Sequence, residues 1–597
     1  MKVLMSGNEA IARGAYEHGV RFAAGYPGTP STEIMETFAR YEGVYAEWSP
    51  NEKVALEAAI GAAVGGEKAM AVMKHVGVNV AADPLFTVSY TGTNRALVII
   101  SADDPSMHSS QNEQDNRNYA KFAKVPMLEP SDSREAKAYI KVALDLSEEF
   151  DTPVFLRTTT RVAHSKSIVE LEEPIPWEDK TGVKINAAKY VMVPGNARVR
   201  RQAVETRTAA LKQFAEKTPL NRVEMGSREV GIITSGMPYN YAKDAFPDYS
   251  YLKLGMPYPL PEKLIRNFAS KVKKLYVVEE LDPFLEEQIK AMGIDVTGKS
   301  IFPFANEFDP GIVSSAISGC AEIGAIPAAP DVPPRPPNLC PGCPHRGVFY
   351  VLGKLGAFVS GDIGCYTLSF MKPLEGLHST VCMGASIGMA HGMSKALGDG
   401  GKGRVVAVIG DSTFVHSGMT PLLNMAYNGS DAVVVICDNS TTAMTGMQEH
   451  PATGYTLQGR PAKKLDFAAL AGVFGIENVE TVDPFDLKQV RKVMKKELAG
   501  TGPSVVIAES PCVLFRRANP VIGKPLMVDP EKCNGCKLCL GLSCPPISWR
   551  PFSEMSEGTY EKKTKNQEGI AFIESVYCTG CTLCQQLCKA GAIVEEE

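Results

Sequence analysis

The chain lacks any run near the eighteen or so consecutive apolar residues of a membrane span. Its opening stretch, "MKVLMSGNEAIARGAYEHG", carries Glu9 where a secretory signal would need an apolar centre. No membrane association is expected, and the reading is of a soluble, cytoplasmic protein. There is no extended basic run either, and the net charge is -5, so the electrostatic footprint of a nucleic-acid partner is missing. What is present is 597 residues at 44% hydrophobic and 22% charged, a balance that supports several globular domains, each with its own core. Cysteine is plentiful, at 15 residues. In a reducing compartment structural disulfides are rare, so clustered thiols point to metal.

Those thiols crowd the tail. Cys533, Cys536 and Cys539 follow C-x2-C-x2-C with Cys544 and Pro545 behind them, and Cys578, Cys581 and Cys584 repeat the triplet with Cys588 after it. Zinc sites use pairs of thiolates, whereas three on one tight loop plus one remote thiolate suit an iron–sulfur cubane. Paired zinc ribbons are the competing reading. Two cubanes a short hop apart make a wire, and a wire needs a source of electrons.

Upstream, "IPAAPDVPPRPPN", residues 326–338, is too rich in proline for helix interior or sheet and reads as an extended linker between domains. Beyond it, "GRVVAVIGDS" and "DAVVVICDNS" are short β-branched runs ending in Gly410-Asp411 and Asp438-Asn439. Leu422, Leu423, Met425 and Ala426 between them have the spacing of a helix packed on a sheet. Strand, helix, strand at this length is a βαβ unit with parallel strands, which present their C-terminal ends to one crevice. The Asp411 carboxylate and the Asn439 amide oxygen are thereby expected at one sheet edge. They are hard oxygen donors of the kind Mg²⁺ takes when diphosphate oxygens and water complete its shell. The helix after Asp411 adds its N-terminal amides to an anion. A buried aspartate at a strand end is also common without any metal.

Gly410-Asp411 followed by Asn439 resembles the diphosphate signature of thiamine diphosphate enzymes, with Ser412 at a usual glycine and Asp438 at a usual asparagine. The resemblance implies Thr441, through its carbonyl, as a third Mg²⁺ ligand. It also implies a glutamic acid in a second α/β domain that hands a proton to the cofactor's aminopyrimidine. Glu47, Glu52 and Glu57 are candidates, and all three have a merely solvated alternative. Glu52 is preferred because "NEKVALEAAIGAA" resembles the pyrimidine-domain segment, where a glutamate precedes a small-residue helix.

Further stretches resemble the 2-oxoacid:ferredoxin oxidoreductases. "GYPGTPSTEI" matches their turn whose threonine, here Thr29, approaches the substrate carboxylate. "NLCPGCPHRGV", "GDIGCYT" and "LHSTVCMGASIGMAHG" match the diphosphate domain, so Cys340, Cys343, His345, Gly364, Cys365, Gly384 and Ala385 are implied to line the cofactor pocket with Gly410 and Ser412. A zinc site at Cys340, Cys343, His345 and Cys365 is the alternative. "VGIITSGMPYNYAKDAF" resembles the transketolase C-terminal-like domain, and the doubled cysteine motif resembles bacterial two-cluster ferredoxins. By that likeness one [4Fe-4S] cluster takes Cys533, Cys536, Cys539 and Cys588, and the other Cys578, Cys581, Cys584 and Cys544. Two departures are the four residues between Cys539 and Cys544, where three are usual, and Lys589 where proline is common.

The implied fold is multidomain α/β, with two thiamine-binding folds of parallel sheets flanked by helices, a transketolase C-terminal-like α/β domain and an α+β two-cluster ferredoxin-like domain. In order these are a pyrimidine-binding domain at 1–170, a connecting segment at 171–229, the transketolase-like domain at 230–325, the linker at 326–338, the diphosphate-binding domain at 339–520 and the ferredoxin-like domain at 525–597. The charge-alternating helix in the connecting segment reads as a solvated or interdomain face.

This order, with "TTAMTGMQEHPATG", is similar to the large subunits of the indolepyruvate-oxidising branch of that family. The resemblance implies oxidation of aryl 2-oxo acids with thiamine diphosphate and Mg²⁺, transfer of the acyl group to coenzyme A, and delivery of electrons through two [4Fe-4S] clusters to ferredoxin. His75, His378 and His416 are further pocket candidates, each with the alternative of a satisfied core or surface histidine. No stretch is left over for the small domain that completes the coenzyme A site in longer relatives, which implies a smaller beta subunit and an (alpha-beta)2 assembly. Pyruvate or branched-chain 2-oxo acids as substrate, a non-oxidative thiamine decarboxylase, and a mere electron-transfer subunit are the other readings.

Overall fold

The computed structural model describes residues 1–176, 182, 185–319, 336–398, 403–518, 520, 522–555, 562–563 and 566–596. The proline-rich stretch expected as a linker lies outside the described residues up to residue 335. The chain divides into two compact units, Met1–Val332 and Pro333–Glu597. Among the described residues, no helix is long and apolar enough to cross a membrane.

The first unit is built on a six-stranded, all-parallel sheet in which Tyr45–Trp48, Phe22–Gly25, Ala69–Lys74, Leu97–Asp103, Val154–Thr159 and Met127–Leu128 lie side by side in that order. The central strand Leu97–Asp103 is buried throughout, as a parallel strand covered on both faces must be. A second sheet of four strands follows. Its parallel members are Lys274–Val278, Ser227–Thr234 and Tyr249–Leu254, and the edge strand Asn221–Glu224 runs antiparallel. This sheet thus already recruits residues from the segment expected only to connect. The two sheets share one apolar core, in which Leu97, Ile99 and Phe155 meet Ile233, Leu252 and Val277.

The charge-alternating stretch folds as the helix Pro194–Ala215, and its basic residues are not simply solvated. Arg207 is buried and donates to the carbonyls of Ser89 and Asp151, while Arg200 donates to that of Tyr90. The helix therefore fastens the connecting segment to the six-stranded domain.

Charge is also buried between the two sheets. Arg117 Nη1 donates to Glu279 at 2.8 Å, and Arg157 Nε donates to Asp103 at 2.7 Å. Glu280 is enclosed here, accepts the Phe308 N–H at 2.8 Å, and is pushed up to about 7 by burial against the pull of Arg157. A carboxyl raised in the folded state binds its proton more tightly there than in the unfolded chain. Stability is thus lost as pH rises from about 4.5 to about 7. We expect Glu280→Gln, which keeps the acceptor for Phe308, to stabilise the unit by about 3 kcal/mol at pH 8. The gain should vanish below pH 4.5, as read from unfolding midpoints at the two pH values.

The second unit carries the parallel sheet Phe358–Ser360, Val405–Gly410, Val433–Asp438, Ser504–Glu509, Asn478–Val482. The expected βαβ unit is present, with helix Met419–Tyr427 burying Leu422 and Met425 and leaving Leu423 exposed. The tail forms two antiparallel ladders, Leu526–Val528 with Ile593–Glu595 and Ile547–Pro551 with Gly569–Ile573. Each ladder joins a strand from one cysteine run to a strand from the other. The tail has a small apolar cluster of its own around Cys533, Ile570 and Ala592, but Leu526, Leu542, Ala571, Ile573, Leu583 and Ile593 share a core with Val406, Val433 and Val506 of the large sheet.

Candidate active site

In the first unit the turns after three neighbouring strands meet at their C-terminal ends, the edge where parallel sheets carry ligands. Thr29 follows Phe22–Gly25, Glu52 follows Tyr45–Trp48, and His75 follows Ala69–Lys74. Glu52 opens the helix Glu52–Val64, whose N-terminus is capped by the Asn51 side chain accepting from Val54 N–H. The carboxyl is buried, and it passes so close to Gly77 that a Cβ there would lie 2.7 Å from its Oε1. Only glycine at 77 leaves room for Glu52 as placed. His75 is fully buried with Nε2 3.2 Å from the Asn112 carbonyl, and its Nδ1 has no partner.

Lys74 was not singled out by the sequence, although it ends a β-run directly before His75. Its aliphatic stem lies over Gly28, beside Thr29, and Nζ donates to the Ser109 carbonyl at 2.8 Å. Burial pushes the ammonium down to about 8, against the opposing charges of Asp104 and Glu52. A poorly solvated cation beside Thr29 is suited to hold an anionic substrate group.

In the second unit Asp411 and Asn439 stand, as expected, at the C-terminal ends of adjacent strands, both buried. Asp411 Oδ1 accepts the Ser412 N–H at 2.7 Å, whereas Oδ2 accepts no hydrogen bond and lies 3.3 Å from His450 Nε2, off axis. Asn439 Oδ1 is likewise buried without a partner. Its orientation is set from the other end of the amide, because Asn439 Nδ2 sits 3.3 Å from His345 Nε2. Burial pushes His345 down to about 4, so the ring is neutral near pH 7 and its Nε2 accepts from that amide. Two buried oxygens at one sheet edge, neither accepting a hydrogen bond, fit a hard cation, since burial without that bond costs about 1–3 kcal/mol, offset at Asp411 only by the His450 ring.

Asp438 strengthens the case. Burial, and next the charge of Asp411, push it up to about 7, while Asp411 itself is held below the ordinary carboxylate range by the His450 ring despite its burial. Ser440 turns the chain in the left-handed region, with φ 59°, and its N–H donates to Asp438 Oδ1. Thr441 follows, buried, and Thr442 Oγ1 donates to Ser412 Oγ at 2.8 Å, which ties the two turns together.

The glycine-rich segments form the adjoining wall. Gly384 has φ 88°, and a Cβ there would meet Ser417 at 2.5 Å, so Ala385 can begin its helix only after glycine. Asp362, which the sequence reading passed over, accepts the N–H groups of Ile363, Gly384 and Ser386 and locks the Gly364 turn to this helix start. Gly410 N–H donates to the Tyr366 hydroxyl. His416 is buried on the π-helical turn Phe414–Gly418, with Nδ1 2.7 Å from Ser417 Oγ. His378 is exposed and accepts the Val359 N–H through Nδ1, so it is engaged along the edge strand and not with the Asp411 cluster. His450 is the partner of Asp411 that the sequence reading missed, although "MQEHPATG" displays it.

Thiols gather at three places in this unit. Cys533, Cys536, Cys539 and Cys588 line one small cavity with Val528, Trp549 and Ala571. Cys544, Cys578, Cys581 and Cys584 line another with Pro341, Gly342, Leu526 and Ile573. The fourth cysteine of each run thus stands in the other run's cavity. The loops share backbone shape: Gly535 and Gly580 have φ 71° and 67°, and Lys537 and Thr582 have φ 59° and 65°. Backbone N–H groups point at sulfur, from Leu526 to Cys578 at 3.3 Å and from Ala592 to Cys588 at 3.2 Å. Soft donors in fours, with N–H groups aimed at them, have the chemistry of an iron–sulfur cubane. The third gathering is Cys340, Cys343, Cys365 and Cys512. Cys340 and Cys365 act electrostatically on Cys343 and on one another, and Cys512 is coupled to both. Cys512 also feels Asp411, and its N–H donates to the Asn439 carbonyl. A lone cysteine just past a β-strand was its only sequence signal.

Residues 362–508 match the family described as "Thiamine pyrophosphate enzyme, C-terminal TPP binding domain", and residues 13–224 match "Pyruvate flavodoxin/ferredoxin oxidoreductase, thiamine diP-bdg". Indolepyruvate oxidoreductase subunit IorA of Archaeoglobus fulgidus is 42% identical over 99% of this chain and 97% of its own length. The protein of that name from Pyrococcus horikoshii is 40% identical over 99% and 96%. 2-Oxoglutarate synthase subunit KorA of Methanothermobacter marburgensis is 26% identical over 46% of this chain and 87% of its own length. With both halves of a thiamine diphosphate site matched and relatives aligned nearly end to end, the chain belongs to the indolepyruvate oxidoreductase IorA subunits, thiamine-diphosphate-dependent enzymes of the 2-oxoacid:ferredoxin oxidoreductase type.

Proposed function

We propose that the chain oxidatively decarboxylates aryl 2-oxo acids, indolepyruvate and related arylpyruvates, to aryl-acetyl-CoA and passes the electrons through iron–sulfur centres to ferredoxin. The observation that carries this reading is the presence, in one unit, of the buried Asp411 and Asn439 oxygens that accept no hydrogen bond and of two crossed four-thiol cavities. The names of the relatives supply the aryl substrate.

Bound thiamine diphosphate supplies a carbon nucleophile that also accommodates the electrons left when carbon dioxide departs. The residues of this chain act around it. In the second unit Asp411, Asn439 and the Thr441 carbonyl would hold Mg²⁺ for the diphosphate, with Gly410, Ser412, Gly384 and Ala385 giving backbone room beside them. His345, kept neutral by burial, fixes the Asn439 amide through its nitrogen and leaves the oxygen free for that ion. In the first unit Glu52 would hold the proton for the aminopyrimidine nitrogen, from a site where Gly77 lets it approach. Thr29 and Lys74 would receive the substrate carboxylate, with His75 beside them as a proton carrier, and His416 is a proton carrier on the turn after Asp411 in the second unit.

Cys533, Cys536, Cys539 and Cys588 hold one [4Fe-4S] cluster, and Cys578, Cys581, Cys584 and Cys544 hold the other, within a ferredoxin-like domain at 525–597. Cys340, Cys343, Cys365 and Cys512 are a third donor set of the same chemistry, nearest to Asp411, and offer electrons a first stop. A smaller beta subunit completes the coenzyme A site, and the working assembly is (alpha-beta)2.

The test uses the chain co-expressed with its smaller partner under anaerobic conditions, with a panel of 2-oxo acids, coenzyme A and viologen dye. Dye reduction is expected with indolepyruvate and phenylpyruvate at kcat/KM at least about tenfold above pyruvate, since one buried aromatic side chain is worth more than the 1.4 kcal/mol this ratio requires. Aldehyde released stoichiometrically with no dye reduced would overturn the oxidative reading, and preference for pyruvate would overturn the substrate.

A further inference from the structure

Arg346 lies at the second position of helix His345–Leu355 and is 1% exposed. A guanidinium does not give up its proton in a protein, so a full positive charge is enclosed here. Among the described residues no carboxylate pairs with it. Its partners are main-chain carbonyls: Nη1 donates to Leu542 at 2.6 Å, and Nη2 to Leu339 at 2.6 Å and Cys340 at 3.1 Å. Nε has none.

A buried cation without a counter-ion costs several kcal/mol, and carbonyl dipoles offset part of that. The remaining compensation must come from negative charge that surrounds the guanidinium in the working protein. The groups in its field are thiols: Cys343 from the set near Asp411, and Cys544 and Cys581 from one tail cavity. The carbonyls it ties together come from the same two places, since Leu339 and Cys340 open the diphosphate side and Leu542 stands two residues before Cys544. The other tail set is built differently. The cation lining its cavity is Lys537, which is half exposed and paired with Glu568 at 3.5 Å, so it is solvated where Arg346 is enclosed.

We propose that Arg346 is a positioning residue for electron transfer: it clamps the Cys340 turn to the Cys544 loop and supplies the counter-charge of the centre held by Cys544, Cys578, Cys581 and Cys584. The inference rests on the iron–sulfur reading of the tail given above. One electron derived from the 2-oxo acid takes this centre from [4Fe-4S]2+ to [4Fe-4S]1+, with no proton transferred. The added negative charge is favoured by the fixed cation, so the Cys544 centre is the easier of the two tail centres to reduce and receives electrons first. The centre at Cys533, Cys536, Cys539 and Cys588 has only the half-exposed Lys537, already paired with Glu568, beside it.

The experiment is potentiometric titration of the anaerobic full complex followed by electron paramagnetic resonance, with signals assigned through Cys544→Ser and Cys536→Ser. In Arg346→Gln, reduction of the Cys544 centre should become at least tenfold less favourable, a midpoint lower by about 59 mV for one electron. The Cys533 centre should hold its midpoint. Arg346→Lys keeps the charge but not the three-carbonyl clamp, and its midpoint should stay near that of the unaltered protein. An unchanged Cys544 midpoint in an iron-replete Arg346→Gln complex, or equal shifts in both centres, would overturn the proposal. Should the glutamine variant fail to fold, a tenfold shift in the lysine variant does so as well. Absence of labile sulfide from the unaltered complex would instead sink the iron–sulfur reading on which this one stands.

Discussion

Asp411→Asn should purify without thiamine diphosphate. The carboxylate is buried, with one oxygen accepting no hydrogen bond and facing only the His450 ring off axis, and the substitution removes the charge that a divalent ion needs while preserving shape. Cofactor retained after desalting, measured by fluorescence of the oxidised vitamin, is expected to fall by at least about a hundredfold in affinity terms, beyond the ten- to hundredfold typical of losing a mere supporting group. In the cofactor-free protein the same change removes both the favourable His450 contact and the repulsion of Asp438, whose proton is retained to about pH 7 by burial first and by Asp411 next. Unchanged cofactor content would remove Asp411 from the metal site.

The second large effect is expected at Glu52. Glu52→Gln retains the size of the side chain and the space left by Gly77, but it has no proton to exchange with the cofactor. Turnover should drop by about 10²- to 10⁴-fold, the usual range for a general acid–base group. The visible absorption of the proposed iron–sulfur centres should be unaffected, because the cysteines assigned to them lie in the other unit, and thiamine diphosphate should still be retained through the proposed Asp411 and Asn439 metal site. Full activity in this variant would exclude Glu52 from the mechanism.

Much of this arrangement was legible in the sequence because it depends on strand ends. Apolar β-runs closing on Gly410-Asp411 and Asp438-Asn439 can form only a buried parallel pair, and such a pair delivers both side chains to one edge. The C-x2-C-x2-C runs are legible for a related reason, since close spacing fixes a loop by itself. What escaped was whatever long-range packing creates. His450 meets Asp411 from 39 positions away, and Cys512 joins Cys340 and Cys365 only through the sheet order. Asp362 has no motif of its own and matters through the three N–H groups it gathers. The domain borders were harder still. Strand Asn221–Glu224 enters the four-stranded sheet by pairing antiparallel with Tyr249–Leu254, a pairing that no local pattern announces. Charge alternation over Pro194–Ala215 left a solvated and an interdomain face open, and the helix takes the second at Arg207, which the carbonyls of Ser89 and Asp151 receive.

The tail of this chain is a wall of the body it serves, since its leucines and isoleucines fill the interior of the large sheet alongside Val406, Val433 and Val506. If the tail holds the proposed iron–sulfur centres, oxygen that corrodes them would not simply detach a pendant, because the same apolar core backs the strand that leads into Asp411. Loss of the electron outlet and loss of the carbon chemistry would then go together.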